Sequence, residues 1–499
     1  MDPIQLQGNE LTLDQLYEIV YDRRPVTVSE SAWDKVRSSR QVIFDMAAEG
    51  KPVYGLNRGV GWNKDKEFDA DFFETYNRNL LNSHSLGVEP YNTTEEVRAI
   101  LLIRLNKALT GSTGISPEIL DLYRLYLNHG IHPQIPRRSS IGEADITTLS
   151  HIGLAFIGET DVEYQGEIMN SAEAMNRAGI APIRLGPKDG LSIVSSNAQG
   201  EGTTAILLKE TLEITRLCNL IACLSLEGLN GVVESYGEKV NALRGLPGQI
   251  RAAEEFRANL KGSYLEEPHA DRALQDPLSF RCAHAITGSV YDAMSYVRQF
   301  LDIQLNTTDD NPCIVIEDQR SYVSANFETT TLALGVEMMV SALYHMSKTS
   351  CYRMIKLADP QFTKLTRFLT PKEVTTIAFG TIQKTYTLLD SQNRSLANPS
   401  SMDFYSLAGG IEDHASNLPL TTDKAFQIID NIRYILGIEA MHACQAIDLR
   451  GKPRLGEKTS QAYDIIRSVL PFYSEDRNLS KDIKTMYELI RSGRLHDIL

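Results

Sequence analysis

Apolar residues recur at helical spacing along most of the chain, and few segments show the period of two that marks a half-buried strand. The clearest short helix follows Ser116, a suitable N-cap, with Pro117 at the first helical position and Gly130 just beyond the last turn. Longer helical patterns cover residues 202–243, 289–305, 329–356 and 375–396. The pattern predicts a mainly α protein with a long-helix bundle.

Turn-forming residues concentrate in the first part of the chain, at residues 55–61, 135–145 and 181–190. A chain of 499 residues also exceeds the size, about 250–300 residues, at which a single core usually stops growing. We therefore predict a smaller, mixed N-terminal region with active-site loops over residues 1–190. A central helix-bundle domain is predicted over residues 191–499.

Charge and cysteine usage narrow the class of protein. The formal net charge of −14 disfavours a nucleic-acid partner. Six scattered cysteines form no CxxC pair, which favours free thiols in a reducing compartment. The N-terminal segment lacks the pattern of a secretory signal, and no run of about 18 uncharged apolar residues predicts a membrane span. We expect a cytoplasmic enzyme that acts on a small molecule.

Several short strings carry polar residues in settings unusual for a purely structural protein. VYGLNRGVG and NLLNSHSLG come first, followed by LQDPLSFRC, QLNTTDDNP and SANF, and then by QNRSLANPSSMD and IEDHAS. Each string taken alone is compatible with an ordinary turn or helix end. Their order along the chain is the informative feature. The side chains that they offer for chemistry are Tyr54, His84, Gln275, Arg281, Asn311, Asn326, Phe327 and Glu412.

These strings resemble, in the same order, the signature segments of histidine and aromatic amino-acid ammonia-lyases. The counterparts in that superfamily are YGxNTGFG, NLLxSHxxG, QDxYSxRC, ExNSxTDNP, GNF and ENKxLAxPxSxD…QEDHxS. The resemblance extends from about residue 10 to residue 440. It implies the mainly α, long-helix bundle of the ammonia-lyase (fumarase/aspartase-like) type. It also implies a homotetramer in which each active site combines several subunits.

One departure from this superfamily concerns its electrophile. The family cyclises an Ala-Ser-Gly triplet within GSVGASGDLAPLAH to a methylidene-imidazolone. The matching stretch here is SSIGEADITTLSH, residues 139–151, in which only Glu143 and Ala144 stand between the similar flanks. The serine that must dehydrate is absent and the glycine is deleted. We therefore predict an enzyme that works without any cofactor.

Two further departures concern the substrate pocket. In GLSIVSSNAQ, residues 190–199, the family's amide is replaced either by Ser195 or by Asn197. In TIQKTYTLL, Lys384 stands where the family has an uncharged residue. A lysine in an apolar helical stretch is rarely buried without a partner. The resemblance implies Glu412 as that partner, because the family places the matching glutamate at the ring of the substrate. The alternative is that Lys384 extends to solvent.

The missing electrophile indicates the substrate. An amine leaves poorly without activation, whereas a quaternary ammonium already carries the positive charge and departs as neutral trimethylamine. We therefore expect a betaine of an aromatic amino acid. Resemblance implies that Tyr54 is the base and that Arg281 binds the carboxylate. Phe327 is expected to face the trimethylammonium group through cation–π contact.

Lys384 and Glu412 indicate which type of aromatic ring the substrate carries. A cation and a carboxylate suit a polar heterocycle, and an imidazole-2-thione fits because Lys384 can stabilise charge that develops on sulfur. The natural betaine with this ring is ergothioneine, and its elimination product is thiourocanate. The predicted catalytic residues are Tyr54, Lys384 and Glu412. The predicted substrate-binding residues are His84, Ser195, Asn197, Gln275, Arg281, Asn326 and Phe327.

Three alternatives remain open at this point. The substrate could be another aromatic amino-acid betaine. The enzyme could be a hydratase or isomerase of acrylate-like substrates, which releases no amine. The protein could also be an inactive homologue that binds a ligand without turnover. A metal site at Glu412, Asp413 and His414 is disfavoured because adjacent side chains on one helix do not share a face.

Overall fold

The structure, a computed structural model, is mainly helical, as predicted, and describes residues 2–55, 57–59, 73–268, 271–371 and 375–499. The chain forms two compact units. Unit 1 comprises Met1–Leu207, Val297–Val336 and Pro399–Asp423, and unit 2 comprises Leu208–Tyr296, Glu337–Asn398 and Lys424–Leu499. The division after residue 190 stays a prediction about how the chain is organised.

Unit 1 holds the short strands and the helices between them. Its helices are α1 Leu13–Val20, α2 Glu30–Ala48, α3 Phe73–His84, α4 Thr94–Ala108, α5 Pro117–His129, α6 Ile146–Phe156, α7 Ser171–Arg177 and α8 Asp189–Val194. Its strands are β1 Ile4–Leu6, β2 Val26–Val28, β3 Val88–Tyr91, β4 Ile131–Pro133, β5 Pro136–Arg138, β6 Asp161–Tyr164, β7 Glu167–Asn170, β8 Cys313–Val315 and β9 Arg320–Tyr322. The β1–β2 pair is parallel, whereas β3–β5, β4–β6–β7 and β8–β9 are antiparallel.

Four long helices contribute residues to both units, namely α9 Ala198–Leu229, α13 Ala283–Gln304, α14 Thr330–Leu357 and α17 Leu418–Leu449. Unit 2 further contains α10 Glu238–Arg244, α11 Pro247–Leu260, α12 Leu278–Arg281, α15 Pro360–Thr363, α16 Gln383–Leu396, α18 Glu457–Val469 and α19 Leu479–Arg491. Short 3₁₀ turns lie at Glu234–Tyr236, Tyr264–Glu266, Arg367–Leu369, Ala378–Gly380, Ala408–Gly410 and His496–Ile498. Within the described ranges, no helix is long and apolar enough to cross a membrane.

Helix α5 forms as its sequence predicts. Pro117 occupies its first turn, and Gly130 ends it in the left-handed conformation at φ 71°. The apolar residues at helical spacing are all buried, namely Ile119, Leu122, Tyr123, Tyr126 and Leu127. The Ser116 hydroxyl makes no capping hydrogen bond, although the backbone at Ser116 is extended as at an N-cap.

Two of the predicted long helices are shorter than expected. Helix α9 ends at Leu229, because Asn230 adopts a left-handed conformation at φ 66° and the Gly231 amide turns back to the Leu226 carbonyl at 3.0 Å. Helix α16 begins only at Gln383 instead of residue 375. Before it, the Asp476 carboxylate accepts hydrogen bonds from the amides of Ile377 and Ala378, which holds a 3₁₀ turn in place of an α-helix.

A buried ion-pair cluster lies within unit 1 beside the segments that later form the candidate site. The Lys107 Nζ atom lies 2.6 Å from Glu201 and 2.8 Å from Asp309, and Arg104 lies 3.1 Å from Asp310. Burial penalises the Asp309 carboxylate, but Lys107 and Arg104 outweigh that penalty and lower its pKa. Asp309 also accepts a hydrogen bond from the Asn197 amide at 2.8 Å. The cluster therefore ties the segment after α8 to the segment before β8.

Replacing Lys107 by Met should lower the free energy of unfolding by about 3–5 kcal/mol, because buried Glu201 loses its cation and buried Asp309 keeps only Arg104. The measurement is thermal or denaturant unfolding of both proteins. The control is Lys484→Met, which removes an exposed pair with Glu488 whose side chains are 77% and 62% exposed. That pair should contribute at most about 1 kcal/mol. Equal effects of the two substitutions would contradict a stabilising role of the buried cluster.

Candidate active site

A cavity of about 740 Å³ opens in unit 1, and all of its lining residues belong to that unit. It lies where α3 ends at His84, where α6 begins at Ile146 and where α8 ends near Ser195. These three helices pack against one another. The rest of the lining comes from Tyr54 and from the segments 139–144, 311–328 and 407–414. The ends of these three packed helices, together with the loops beside them, therefore line the same cavity.

Three predicted site residues, Tyr54, His84 and Phe327, line this cavity. The backbone beside Tyr54 forms a tight loop, since the Gly55 amide donates to the Arg58 carbonyl at 3.0 Å. A Cβ atom on Gly55 would lie 2.3 Å from the Leu191 side chain, and Gly55 has a φ of 74°, so only glycine fits there. Leu56, Val60 and Gly61 of this predicted glycine-rich loop lie outside the described residues.

His84 is oriented by the last turn of its own helix. Its Nδ1 atom lies 2.8 Å from the Leu80 carbonyl oxygen, which can only accept a hydrogen bond. Nδ1 therefore carries a proton, and Nε2 is the nitrogen left to interact with a ligand.

Ser195 and Asn197, the two candidates for the family's amide, have different surroundings. Ser195 lines the cavity, and its hydroxyl accepts a hydrogen bond from the Asn311 amide at 3.2 Å. Asn197 is buried, and its side chain serves the backbone: Oδ1 accepts from the Ala144 amide at 3.1 Å, and Nδ2 donates to the Phe327 carbonyl. The Ser195 hydroxyl also donates to the Asn311 carbonyl at 3.4 Å. Ser195 therefore lines the cavity and Asn197 does not, and which of the two replaces the family's amide stays a prediction.

The loop that carries Glu143 and Ala144 is held by many internal hydrogen bonds. Ser140 donates to the Asp145 carboxylate at 2.6 Å, and the Asp145 amide donates to the Ser196 carbonyl at 2.7 Å. Ala144 has a φ of 64°, and Glu143 forms an isolated antiparallel bridge with Glu328. The residues at this place, a glutamate and an alanine, do not fit the family's imidazolone, since neither can provide the dehydrated serine.

Carboxyl groups dominate the charge of the cavity. Glu143, Glu328, Glu412 and Asp413 all line it, and no lysine or arginine does so in the part of the chain that the structure describes. Burial, followed by the neighbouring Glu412 carboxylate, raises the pKa of Glu143 to about 7. The His414 Nε2 atom pairs with Glu328 at 2.8 Å.

The segment Glu412, Asp413 and His414 is not helical, contrary to the premise on which a metal site was disfavoured. It precedes α17 as an irregular segment, held by a backbone bridge between Leu407 and Glu412. Even so, the described residues contain no group of three His, Cys, Asp or Glu side chains placed to hold a metal ion.

The other predicted site residues lie elsewhere. Asn326 is exposed in unit 1 and is not among the lining residues. Gln275, Arg281 and Lys384 belong to unit 2. Arg281 Nη1 donates to Gln275 Oε1 at 2.6 Å, so those two predicted residues do lie together. Lys384 is exposed in the first turn of α16, and its pairing with Glu412 stays a prediction.

Several residues in or beside the site were not predicted from the sequence. Glu143 was recognised only as part of an incomplete triplet, and Glu328 was not singled out. The cations Arg104 and Lys107 were also missed, although two charges in the apolar run AILLIRLNKAL are a signal for buried ion pairs.

The chain belongs to the aromatic amino acid lyase family, which matches residues 11–468. This confirms the predicted superfamily and the class of enzyme, a carbon–nitrogen lyase. Among solved structures, the chain is 69% identical to ergothionase from Treponema denticola, in complex with desmethyl-ergothioneine sulfonic acid. That match covers 99% of both chains with a TM-score of 0.98.

Histidine ammonia-lyases are more distant relatives of the chain. The enzyme of Geobacillus thermodenitrificans is 33% identical over 99% of both proteins. The structure of the enzyme from Trypanosoma cruzi is 27% identical with a TM-score of 0.89, over 99% of this chain and 94% of that one. The predicted fold of the ammonia-lyase type is thereby confirmed.

Proposed function

We propose that the protein eliminates trimethylamine from ergothioneine to give thiourocanate, without a methylidene-imidazolone. The observation that carries this proposal is the 69% identity to an ergothionase over 99% of both chains. Glu143 and Ala144, at the place of the family's electrophile, support the cofactor-independent part. Because neither residue can form the imidazolone, a substrate with its own good leaving group is required.

The reaction needs a β-proton to leave and a carbon–nitrogen bond to break. In ergothioneine the nitrogen is quaternary, so it departs with the bonding electron pair as neutral trimethylamine and needs no prior activation. Tyr54, as phenolate, takes the β-proton, and the electron pair of that C–H bond forms the double bond of thiourocanate. Phe327 offers an aromatic face to the trimethylammonium group. His84 and Ser195 provide polar contacts in the same cavity.

Arg281, Gln275 and Lys384 complete the proposed site. Arg281, already oriented by Gln275, binds the substrate carboxylate as a planar, bidentate donor. Asn326 is a further proposed contact. Lys384, together with Glu412, binds the thione ring and stabilises negative charge as it develops on sulfur.

We further propose a homotetramer with shared active sites, working in the cytoplasm. Support comes from apolar residues of the cavity lining that the single chain leaves uncovered, where Val323 is 92% exposed and Ile411 is 46% exposed. Exposed apolar surface of this kind marks an interface between proteins. All six cysteines are free thiols, which suits a reducing compartment.

The purified protein should convert ergothioneine to a conjugated acrylate and trimethylamine and should leave histidine unchanged, because an amine needs the missing electrophile. Histidine betaine, which lacks the thione, should react more slowly. The measurements are near-ultraviolet absorbance and mass spectrometry of trimethylamine. Turnover of histidine would contradict the proposed mechanism.

The intact mass of the same preparation is the control for cofactor independence. It should equal the mass of the encoded sequence, because imidazolone formation removes two molecules of water. A product formed without any trimethylamine would instead favour the hydratase or isomerase. Binding of ergothioneine without turnover would favour an inactive homologue.

A further inference from the structure

Glu143 is a carboxylate held rigidly in the cavity by its backbone. The backbone of Glu143 forms an isolated antiparallel bridge with that of Glu328. The next backbone amide, that of Ala144, donates to Asn197 Oδ1. Gly142 before it is equally constrained, since a Cβ atom there would lie 2.5 Å from the Ser416 hydroxyl. The Glu143 side chain lines the cavity and is half-buried. The backbone position of Glu143 is therefore set by contacts with other segments of unit 1.

Among the described residues that line the cavity, no lysine or arginine balances the charge around Glu143. It is hydrogen-bonded to Glu412, and Asp413 and Glu328 add negative charge. Of the two cavity histidines, His414 is paired with Glu328, whereas His84 bonds to its own helix. Two carboxyl groups in such contact share a proton until a cation arrives. The described lining contains no lysine or arginine that could be this cation, so a bound ligand can supply it.

We infer that the Glu143 carboxylate binds the trimethylammonium group of the substrate and selects quaternary ammonium substrates. This inference rests on the proposed function. A trimethylammonium group has no N–H to donate, so it is held by opposite charge and by apolar contact. The cavity supplies the contact through Ala144, Leu191 and Phe327. As the cation approaches, the proton shared with Glu412 is released, and Glu412 becomes available to the ring.

The same contact accounts for product release. Once the carbon–nitrogen bond breaks, trimethylamine is neutral, and its attraction to Glu143 is lost. Because the charge is present in the bound substrate and persists while the β-proton is taken, Glu143 strengthens binding more than it accelerates the chemical step. Its removal should thus raise KM and leave kcat nearly unchanged.

Glu143→Gln should raise the KM for ergothioneine by about 10- to 100-fold and change kcat by less than about threefold. Below pH 7 the wild-type Glu143 becomes protonated, so its KM should rise as the pH falls from 8.5 to 5.5. The variant has no carboxyl group at this position, so its KM should stay high and lack that dependence. Glu143→Asp, which keeps the charge, should recover part of the affinity. Glu118→Gln, at an exposed position on α5, is the control with an equal loss of charge.

A KM within about twofold of wild type in Glu143→Gln, or a loss of kcat at unchanged KM, would overturn the inference. If the wild-type protein turns over no betaine, the proposed function fails separately. The dissociation constant of histidine betaine, measured by calorimetry for wild type and Glu143→Gln, then decides the role of Glu143. A weakening of about tenfold or more supports that role, and no difference or no binding refutes it.

Discussion

Replacing Tyr54 by Phe should lower the turnover of ergothioneine by about 100- to 10,000-fold, the range that a positioned general base contributes. Tyr54 lines the cavity and lies on a loop whose glycine packs against Leu191. The substitution removes one oxygen atom and keeps the ring, so the packing should survive. The measurements are kcat and the exchange of the substrate β-proton in deuterated water.

The control for this prediction is Tyr487→Phe. Tyr487 belongs to α19 in unit 2, and its hydroxyl donates to Asp430 at 2.6 Å. That variant also loses a phenolic hydroxyl but should retain turnover. If β-proton exchange continues at the wild-type rate in Tyr54→Phe, another group is the base.

Replacing Lys384 by Met should lower turnover of ergothioneine by about 100- to 1,000-fold, because charge developing on the thione sulfur loses its stabilising cation. Lys384 is exposed in the chain, so the substitution should hardly change the midpoint of thermal unfolding. The measurements are kcat/KM for ergothioneine and for histidine betaine, alongside thermal unfolding. Only the thione substrate should respond strongly, since histidine betaine has no sulfur.

The matched control is Lys239→Met, which removes an exposed lysine from α10. It should leave both substrates unaffected. Near-normal turnover of ergothioneine by Lys384→Met would mean that Lys384 merely extends to solvent. An equal loss for both substrates would place its action at a part that the substrates share, such as the carboxylate.

The sequence predicted helices best where capping and periodicity agree. Pro117, the buried apolar stripe and Gly130 all specify α5, and each signal lies within the helix itself. The end of α9 was harder to predict, because leucine-rich periodicity continues past Leu229 while the backbone turns at Asn230. The start of α16 depends on Asp476, a residue nearly a hundred positions away. The local sequence pattern does not reveal a contact with a residue so far along the chain.

The candidate site was predictable as a set of residues but not as an arrangement. Tyr54, His84 and Phe327 came from ordered motifs, and the structure places all three at one cavity. Motifs alone could not tell Ser195 from Asn197, since the two residues stand two positions apart in the same string. The structure shows only that their surroundings differ, since Asn197 hydrogen-bonds to distant backbone and Ser195 lines the cavity.

The sequence by itself predicts that the electrophile is absent, because a cyclised triplet requires an alanine, a serine and a glycine in the covalent chain, and only Glu143 and Ala144 stand between Gly142 and Asp145. It also determined the mainly helical fold, since helical periodicity is a local property. Only the tertiary structure decided what takes the electrophile's place. Glu143 faces a cavity beside Glu412, 269 positions away, and a proximity of that kind arises from packing and leaves no trace in local spacing.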